Sequence, residues 1–398
     1  MMMMRSVLFG GLAVALACGC QGQGGSGSSS PHPGTASAPV TSGTAGGVAS
    51  PASGSAVGSG VGGSASAGST GAGGTGAQGT AGPPTVGGWR ARASMITARR
   101  NVATAVTDTG KIFVMGGLAD STTNNPRAST ANEEYDPATD TWTTRAPMPV
   151  GRCRHGAVFA GGKIYVVGGA GSDPAIGMPP DPATMDVYDP ATDTWRIGPS
   201  PATPRRDLGA LLFAGKIWAL SGVSDTGGFP GYPKADILDP LAGTWTFGAL
   251  DCPVVGESSA TSAAVGNTLY VVDTYNGGTL LAASSTATSF TTLGQTYPVG
   301  RDSGAVALNG RVYLIGGASA QTSPFGGTVT DVQSFDGASP GALFSHAPLL
   351  VDREAFGVAT WQGKIYVFGG GQSFLYPFGP FGMINAYKPT NAVEAFSP

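Results

Sequence analysis

The chain has 398 residues, of which 66 are Gly and 30 are Pro while only 11% are charged, so it is not an ordinary globular domain throughout. With 21 Lys plus Arg against 24 Asp plus Glu, a net charge of -3 excludes the basic footprint that holds a nucleic-acid duplex. The longest uncharged apolar stretch lies near the N-terminus and is too short to span a bilayer as a stable helix.

Arg5 precedes the apolar run VLFGGLAVALA at 7 to 17, and Cys18, Gly19 and Cys20 follow it. A basic residue, a short apolar run and a small-residue boundary read as an export signal. The small residues before each Cys resemble the lipobox of bacterial lipoproteins, in which the chain is cut before a Cys that is then lipidated. Both Cys20, after ACG, and Cys18, after ALA, fit, and neither has the Leu favoured three residues before the cut. The resemblance implies an exported protein anchored in the cell envelope or outer membrane, or else simply secreted. Several acyl chains would anchor it stably where one is marginal.

Residues 21 to 88 contain no Asp, Glu, Lys or Arg and consist mostly of Gly, Ser, Ala, Thr, Pro and Val without hydrophobic period. Such a segment buries too little apolar area to offset its chain entropy and is expected to be a disordered tether. Its root-mean-square reach is on the order of 45 Å. The GSGVGG at 58 to 63 has the spacing of a dinucleotide-phosphate loop but neither the strand before it nor the helix after it that such a loop needs.

From Trp89 onward a period appears. KIFVMGG starts at 111, KIYVVGG at 163, KIWALSG at 216, TLYVVDT at 268, RVYLIGG at 311 and KIYVFGG at 364. Each is an apolar, β-branched and aromatic strand, closed in most copies by glycines. A small-and-apolar stretch a few residues before each makes a hairpin with it. A third strand ending in an Asp-Pro turn and a fourth opening with Trp follow in EEYDPATDTW, DVYDPATDTW and ILDPLAGTW. The unit is therefore a four-stranded antiparallel meander, with proline at a turn where no ladder N–H is needed. In the fourth copy TLYVVDT lacks the glycine pair and Phe290 is the candidate replacement for the Trp. In the fifth, Phe335-Asp336 and Phe344 replace Tyr-Asp-Pro and Trp.

The double glycine, Tyr-Asp-Pro and Trp in combination resemble the kelch repeat, in which each unit is one blade of a β-propeller. The resemblance covers 89 to 398 and implies an all-β, six-bladed kelch-type propeller behind a signal and lipobox at 1–20 and a tether at 21–88. The third-strand motif AVEAFSP at 392 to 398 lacks a fourth strand, and WRARASM at 89 to 95 is a fourth strand lacking a third. Their pairing is expected to close the ring.

In a meander, the loop entering strand one and the loop leaving strand two lie at the same end of the blade. Counted back from the second strands, Arg100, Arg152, Arg205 and Arg353 share one position, Arg301 falls one residue away, and Glu257 holds the place in the fourth unit. Arg99, Arg154 and Arg206 sit beside them. Read as ligand-binding, these guanidiniums ring the channel mouth and hold a carboxylate, phosphate or sulfate; read as structural, they bond loop carbonyls and tie blades together. The segment from 371 to 390 is expected to be a loop whose Phe374, Tyr376, Phe378 and Phe381 either stack on a sugar or partner, or cover the seam.

Some kelch-type propellers are copper-radical oxidases, whose site resembles two His and two Tyr with a crosslinked Cys. With His32, His155 and His346 so scattered, that site is not expected, nor is any metal or other cofactor. Others isomerise sialic acid derivatives, and here Glu257, Asp207, Asp302 or Glu354 are the candidate bases. Cys153 and Cys252 fall on non-adjacent blades and are expected to be buried free thiols. The expected function is a non-enzymatic binding module for a protein or glycan ligand with anionic character, membrane-associated through its lipid and without nucleic acid. A sugar-acid isomerase and a structural adhesion element are the alternatives.

Overall fold

The computed structural model describes residues 87–119, 127–171, 184–201, 203–224, 231–254, 261–274, 278–297, 300–319, 327–377 and 383–398, with the backbone alone at 295–296, 374–377 and 383–386. All of them lie in one compact unit, Gln78–Pro398.

Strand β1 (Trp89–Arg92) comes first. Blade one is β2 (Ala103–Val106), β3 (Ile112–Met115), β4 (Asn132–Asp136) and β5 (Thr141–Thr144), and blade two is β6 (Gly156–Ala160), β7 (Lys163–Val167), β8 (Asp186–Asp189) and β9 (Thr194–Ile197). Blade three is β10 (Gly209–Phe213), β11 (Lys216–Leu220), β12 (Lys234–Asp239) and β13 (Thr244–Asp251). Blade four is β14 (Thr261–Val265), β15 (Thr268–Asp273), β16 (Thr279–Ser284) and β17 (Thr291–Thr296). Blade five is β18 (Gly304–Leu308), β19 (Arg311–Ile315), β20 (Val332–Asp336) and β21 (Phe344–Ser345). Blade six begins with β22 (Gly357–Trp361) and β23 (Lys364–Phe368). A ribbon of β24 (Gly371–Pro377) and β25 (Met383–Pro389) follows, and then β26 (Val393–Phe396).

Every blade is an antiparallel four-stranded meander, and in blade six the outermost strand is β1, paired with β26. Trp89 lies opposite Phe396 with ring centroids 5.1 Å apart, so the first strand after the spacer completes the last sheet. This closure leaves no unpaired blade in the ring. One apolar cluster fills each seam between neighbouring blades, because the middle strands are buried on both faces. Thr104, Ala157, Ala210, Ser262, Ala305 and Val358, one per blade at the same register, give the central channel a waist of small side chains.

The glycine pairs exist for close approach. A Cβ on Gly116, at φ +60°, would lie 2.3 Å from the carbonyl oxygen of Arg152 on the next blade. The amides of Gly117, Gly169, Gly317 and Gly370 donate to the carbonyls of Arg152, Arg205, Arg353 and Arg99, each on the following blade.

One sequence expectation changes. Within the segment from 371 to 390, residues 371–377 and 383–389 form a paired β ribbon rather than an irregular loop, in which Phe374 and Tyr376 lie opposite Ala386 and Ile384. Trp142 and Trp195 are half-buried, because the fourth strand is the outer edge of each blade. Blade five has only a two-residue outer strand, where Phe344 is exposed and carries the Arg311 guanidinium 4.3 Å above its ring.

Candidate functional site

The arginines separate into two sets with different environments. Arg99, Arg152, Arg205 and Arg353 are buried inside their own blades, each paired to an acid on the third strand. Arg99 meets Glu133 at 2.8 Å, Arg152 meets Asp186 at 2.7 Å, Arg205 meets Asp236 at 2.6 Å, and Arg353 pairs with Glu394. Each also donates to a carbonyl at or just beyond the end of its second strand, as from Arg152 to Gly168 at 2.9 Å and from Arg353 to Gly369 at 3.1 Å, while the buried Nε of Arg99 and of Arg205 has no acceptor among the described residues. Burial holds the pKa of Arg99, Arg152 and Arg353 below the usual guanidinium value, while each acid partner pulls it back up.

These groups are therefore structural, which corrects the placement of Arg152, Arg205 and Arg353 on the rim. Arg100 is corrected too, since Arg99 is the true equivalent of Arg152. The ladder pairs Arg100 with Leu118 as it pairs Cys153 with Ala170, Arg206 with Val223, Arg301 with Ala318 and Glu354 with Gly371. The count slips because the first hairpin of blade one turns through Asp108-Thr109-Gly110, one residue more than the Gly161-Gly162 turn of blade two. In blade five both members of the buried pair change together: Gly300 stands at the arginine position and Gln333 at the acid position. In blade four the acid position is Leu281, and Glu257 lies outside the described residues.

The mouth is built one residue further on. Asn101, Arg154, Asp207, Asp302 and Ala355 occupy equivalent positions and all have φ between 53° and 57°, the left-handed region that Asn and Asp tolerate best. This conformation turns their amides around the axis. The amide of Asn101 donates to Ala355 at 2.6 Å, Arg154 to Asn101 at 3.2 Å, Asp207 to Arg154 at 3.0 Å, and Ala355 to Asp302 at 2.9 Å. The belt frames a cavity of about 220 Å³ lined by Asn101, Arg154, Asp207, Asp302 and Ser303 among others.

Around this cavity the charges are mixed. Arg154 donates to Asp207 at 3.1 and 3.3 Å. Arg206 lies 3.6 Å from the same carboxylate. Arg100 donates to the Asn101 side chain at 2.8 Å and stacks 4.3 Å above the Tyr387 ring. Burial pushes Asp207 up to about 6 against the pull of Arg154. Glu354 is pushed up to about 8, first by burial and then by Asp302. His155 lines the same cavity but is held neutral: burial, then Arg152 and Arg99, drive it down to about 3.

At the blade-five and blade-six side, Arg301 and Asp302 are half-buried and Glu354 is 2% exposed. Among the described residues, none of these three side chains takes part in a hydrogen bond or ion pair. Phe378 and Phe381 lie outside the described residues, and of Phe374 and Tyr376 only the backbone is described, so the mouth is defined by its charged groups. Cys153 and Cys252 are buried and free, while Cys18 and Cys20 lie outside the described residues. The described residues contain no cluster of three or more His, Cys, Asp or Glu that could hold a metal ion.

A closed ring of six four-stranded blades is a six-bladed β-propeller, and the Gly-Gly exits, Tyr-Asp-Pro turns and outer-strand tryptophans of blades one and two are those of kelch-type repeats. The Kelch motif family matches residues 99–149 and 151–202, which contain blades one and two. The chain is 31% identical over 201 residues to Beta-scruin of Limulus polyphemus, covering 49% of this chain and 21% of that protein. Alpha-scruin of the same organism is 32% identical over 160 residues, 39% of this chain and 17% of its own length. The Kelch repeat and BTB domain-containing protein 12 of Homo sapiens is 28% identical over 184 residues, 41% of this chain and 28% of its own. The chain thus spans less than a third of the length of these relatives.

Proposed function

We propose that the propeller is a non-enzymatic, protein-binding module that recognises an acidic segment of a partner at the channel mouth. The observation that supports it is Arg301. Its equivalents Arg100 and Arg206 have partners, and the buried arginines are paired to acids inside their blades, whereas Arg301 carries no pair among the described residues and sits on a rigid, hydrogen-bonded rim. A guanidinium so placed offers bidentate donors to a carboxylate, and the rim has already lost the conformational freedom that binding costs.

The reading is tested by capture of partners on the full chain, comparing Arg301→Glu with Arg196→Glu on the exposed outer edge of blade two. Loss with Arg301→Glu alone supports the mouth. Loss with Arg196→Glu alone moves recognition to the blade edges and removes the reading.

The chain is further proposed to be exported and tethered to a membrane through Cys20 or Cys18, displayed on the segment 21 to 88. The support is Arg5, the apolar run at 7 to 17 and the small residues before each Cys. Metabolic labelling with a fatty-acid analogue tests it: label lost in Cys20→Ser or Cys18→Ser identifies the anchor, and an unlabelled wild type makes the protein simply secreted.

A further inference from the structure

Glu354 is the most deeply buried charged group of the mouth that lacks a partner. It is 2% exposed, and its carboxyl has no hydrogen bond or ion pair among the described residues. Leaving an ionised carboxylate in that state is costly, and the ordinary remedy is to keep the proton. The groups that face it agree: burial and Asp302 push the carboxyl up to about 8, while Arg301, Arg100 and Arg154 pull downward and lose. Tyr387 faces the same two acids, and its own pKa is raised, by burial first and then by Glu354 and Asp302. The amide of Ala355 donates to the carbonyl of Asp302, so blades five and six hold the two acids in fixed register beside the cavity. The Ser303 hydroxyl, buried on the same wall, also lacks a partner.

We propose that this corner is an oxyanion subsite in which the protonated carboxyl of Glu354 and the guanidinium of Arg301 both donate to one carboxylate or sulfate group. With the proton in place, Glu354 offers an O–H where an ionised side chain would repel the ligand, and the surrounding arginines outnumber the remaining carboxylates. When Glu354 is ionised in the free protein, the proton it needs is taken from solvent, and no covalent bond other than that O–H forms. Binding and protonation are thus linked: each favours the other by the same factor. This deepens the proposal that the mouth recognises acidic partners and rests on it.

The test is calorimetric titration of the full chain with sodium sulfate between pH 6.5 and 9.5 at constant ionic strength, because sulfate keeps its charge across that range. Affinity is expected to be level below about pH 8 and to fall by up to tenfold per pH unit above it. Repeating the titration at pH 9 in buffers of different ionisation enthalpy should show uptake of up to one proton per sulfate. Glu354→Gln should retain binding while losing both the pH dependence and the proton uptake. Binding by the wild type that ignores pH, or a Gln variant with the slope intact, overturns the role of Glu354 and leaves the mouth as an anion site. Absence of sulfate binding at every pH overturns both.

Discussion

Trp142 reaches across a seam to Ala93: its indole N–H donates to the Ala93 carbonyl at 2.8 Å, just beyond the strand that closes the ring. The amide of the same Ala93 donates to Asp140 at 2.9 Å, two residues before the Trp, and the Tyr135 hydroxyl donates to that carboxylate at 2.6 Å. One seam later Trp195, Asp193 and Tyr188 take hold of Ala146 in the same way. The Tyr-Asp-Pro-Ala-Thr-Asp-Thr-Trp segment is therefore a latch onto the preceding blade as well as a turn.

Asp140→Ala should lower stability by about 2 kcal/mol. It removes the acceptor of two hydrogen bonds and puts a less tolerant residue at φ 56°. Asp140→Asn keeps an acceptor and a side chain suited to that conformation, and should cost less than half as much. Urea unfolding of the two variants measures the difference.

The buried pairs predict a rescue. Arg152→Met leaves Asp186 buried and uncompensated, and should cost about 3–5 kcal/mol. Adding Asp186→Leu should restore most of this, because an apolar pair removes both desolvation penalties and Leu281 already occupies that position in blade four. Thermal melts of the single and double variants decide it; a double variant no more stable than the single would show that the ion pair itself is required. Arg301→Met, by contrast, should melt like the wild type.

The ring closure can be weighed through Trp89. Its side chain is buried, stacks on Phe396 and donates to the carbonyl of Ala347 at 2.9 Å. Trp89→Ala should cost about 3–5 kcal/mol. Deletion of residues 89–95 should unfold the propeller or make it aggregate, since β26 becomes an unpaired edge. Size-exclusion chromatography and a melt of the truncated chain measure this.

Stability should fall as pH rises from 6.5 to 8. Glu354 binds its proton more tightly folded than unfolded, so the folded state holds the extra proton until about pH 8 and loses that advantage as the proton leaves. Asp207, raised to about 6, has passed most of its change below this window, and His155, depressed to about 3, costs stability mainly as pH falls below its unfolded value. The expected loss is about 1–2 kcal/mol across the window. Urea titrations at the two pH values should show it in the wild type and a flat response in Glu354→Gln.

Much of the architecture is legible in the residues because it is encoded locally. Six copies of an apolar run, its glycine exit, the Asp-Pro turn and the Trp each specify a strand or turn within a few positions. The unmatched fourth strand at Trp89 and unmatched third strand at Ala392 state the closure outright. The acids of the buried pairs were equally visible, since Glu133, Asp186, Asp236 and Glu394 recur on the third strands in step with the arginines. Only their partnership was missed.

The repeat alone determined that this chain makes six blades joined by a shared last sheet, because periodic hydrophobicity and turn chemistry act over neighbouring residues. Which arginine is buried and which faces the channel was decided only in three dimensions. One extra residue in the Asp108-Thr109-Gly110 turn shifts the count, and partners such as Arg152 and Asp186 meet across strands rather than along the chain. The environment of Glu354 was decided there as well: burial beside Asp302, without a hydrogen bond or ion pair among the described residues, raises the pKa of a residue that the sequence presents as one more negative charge.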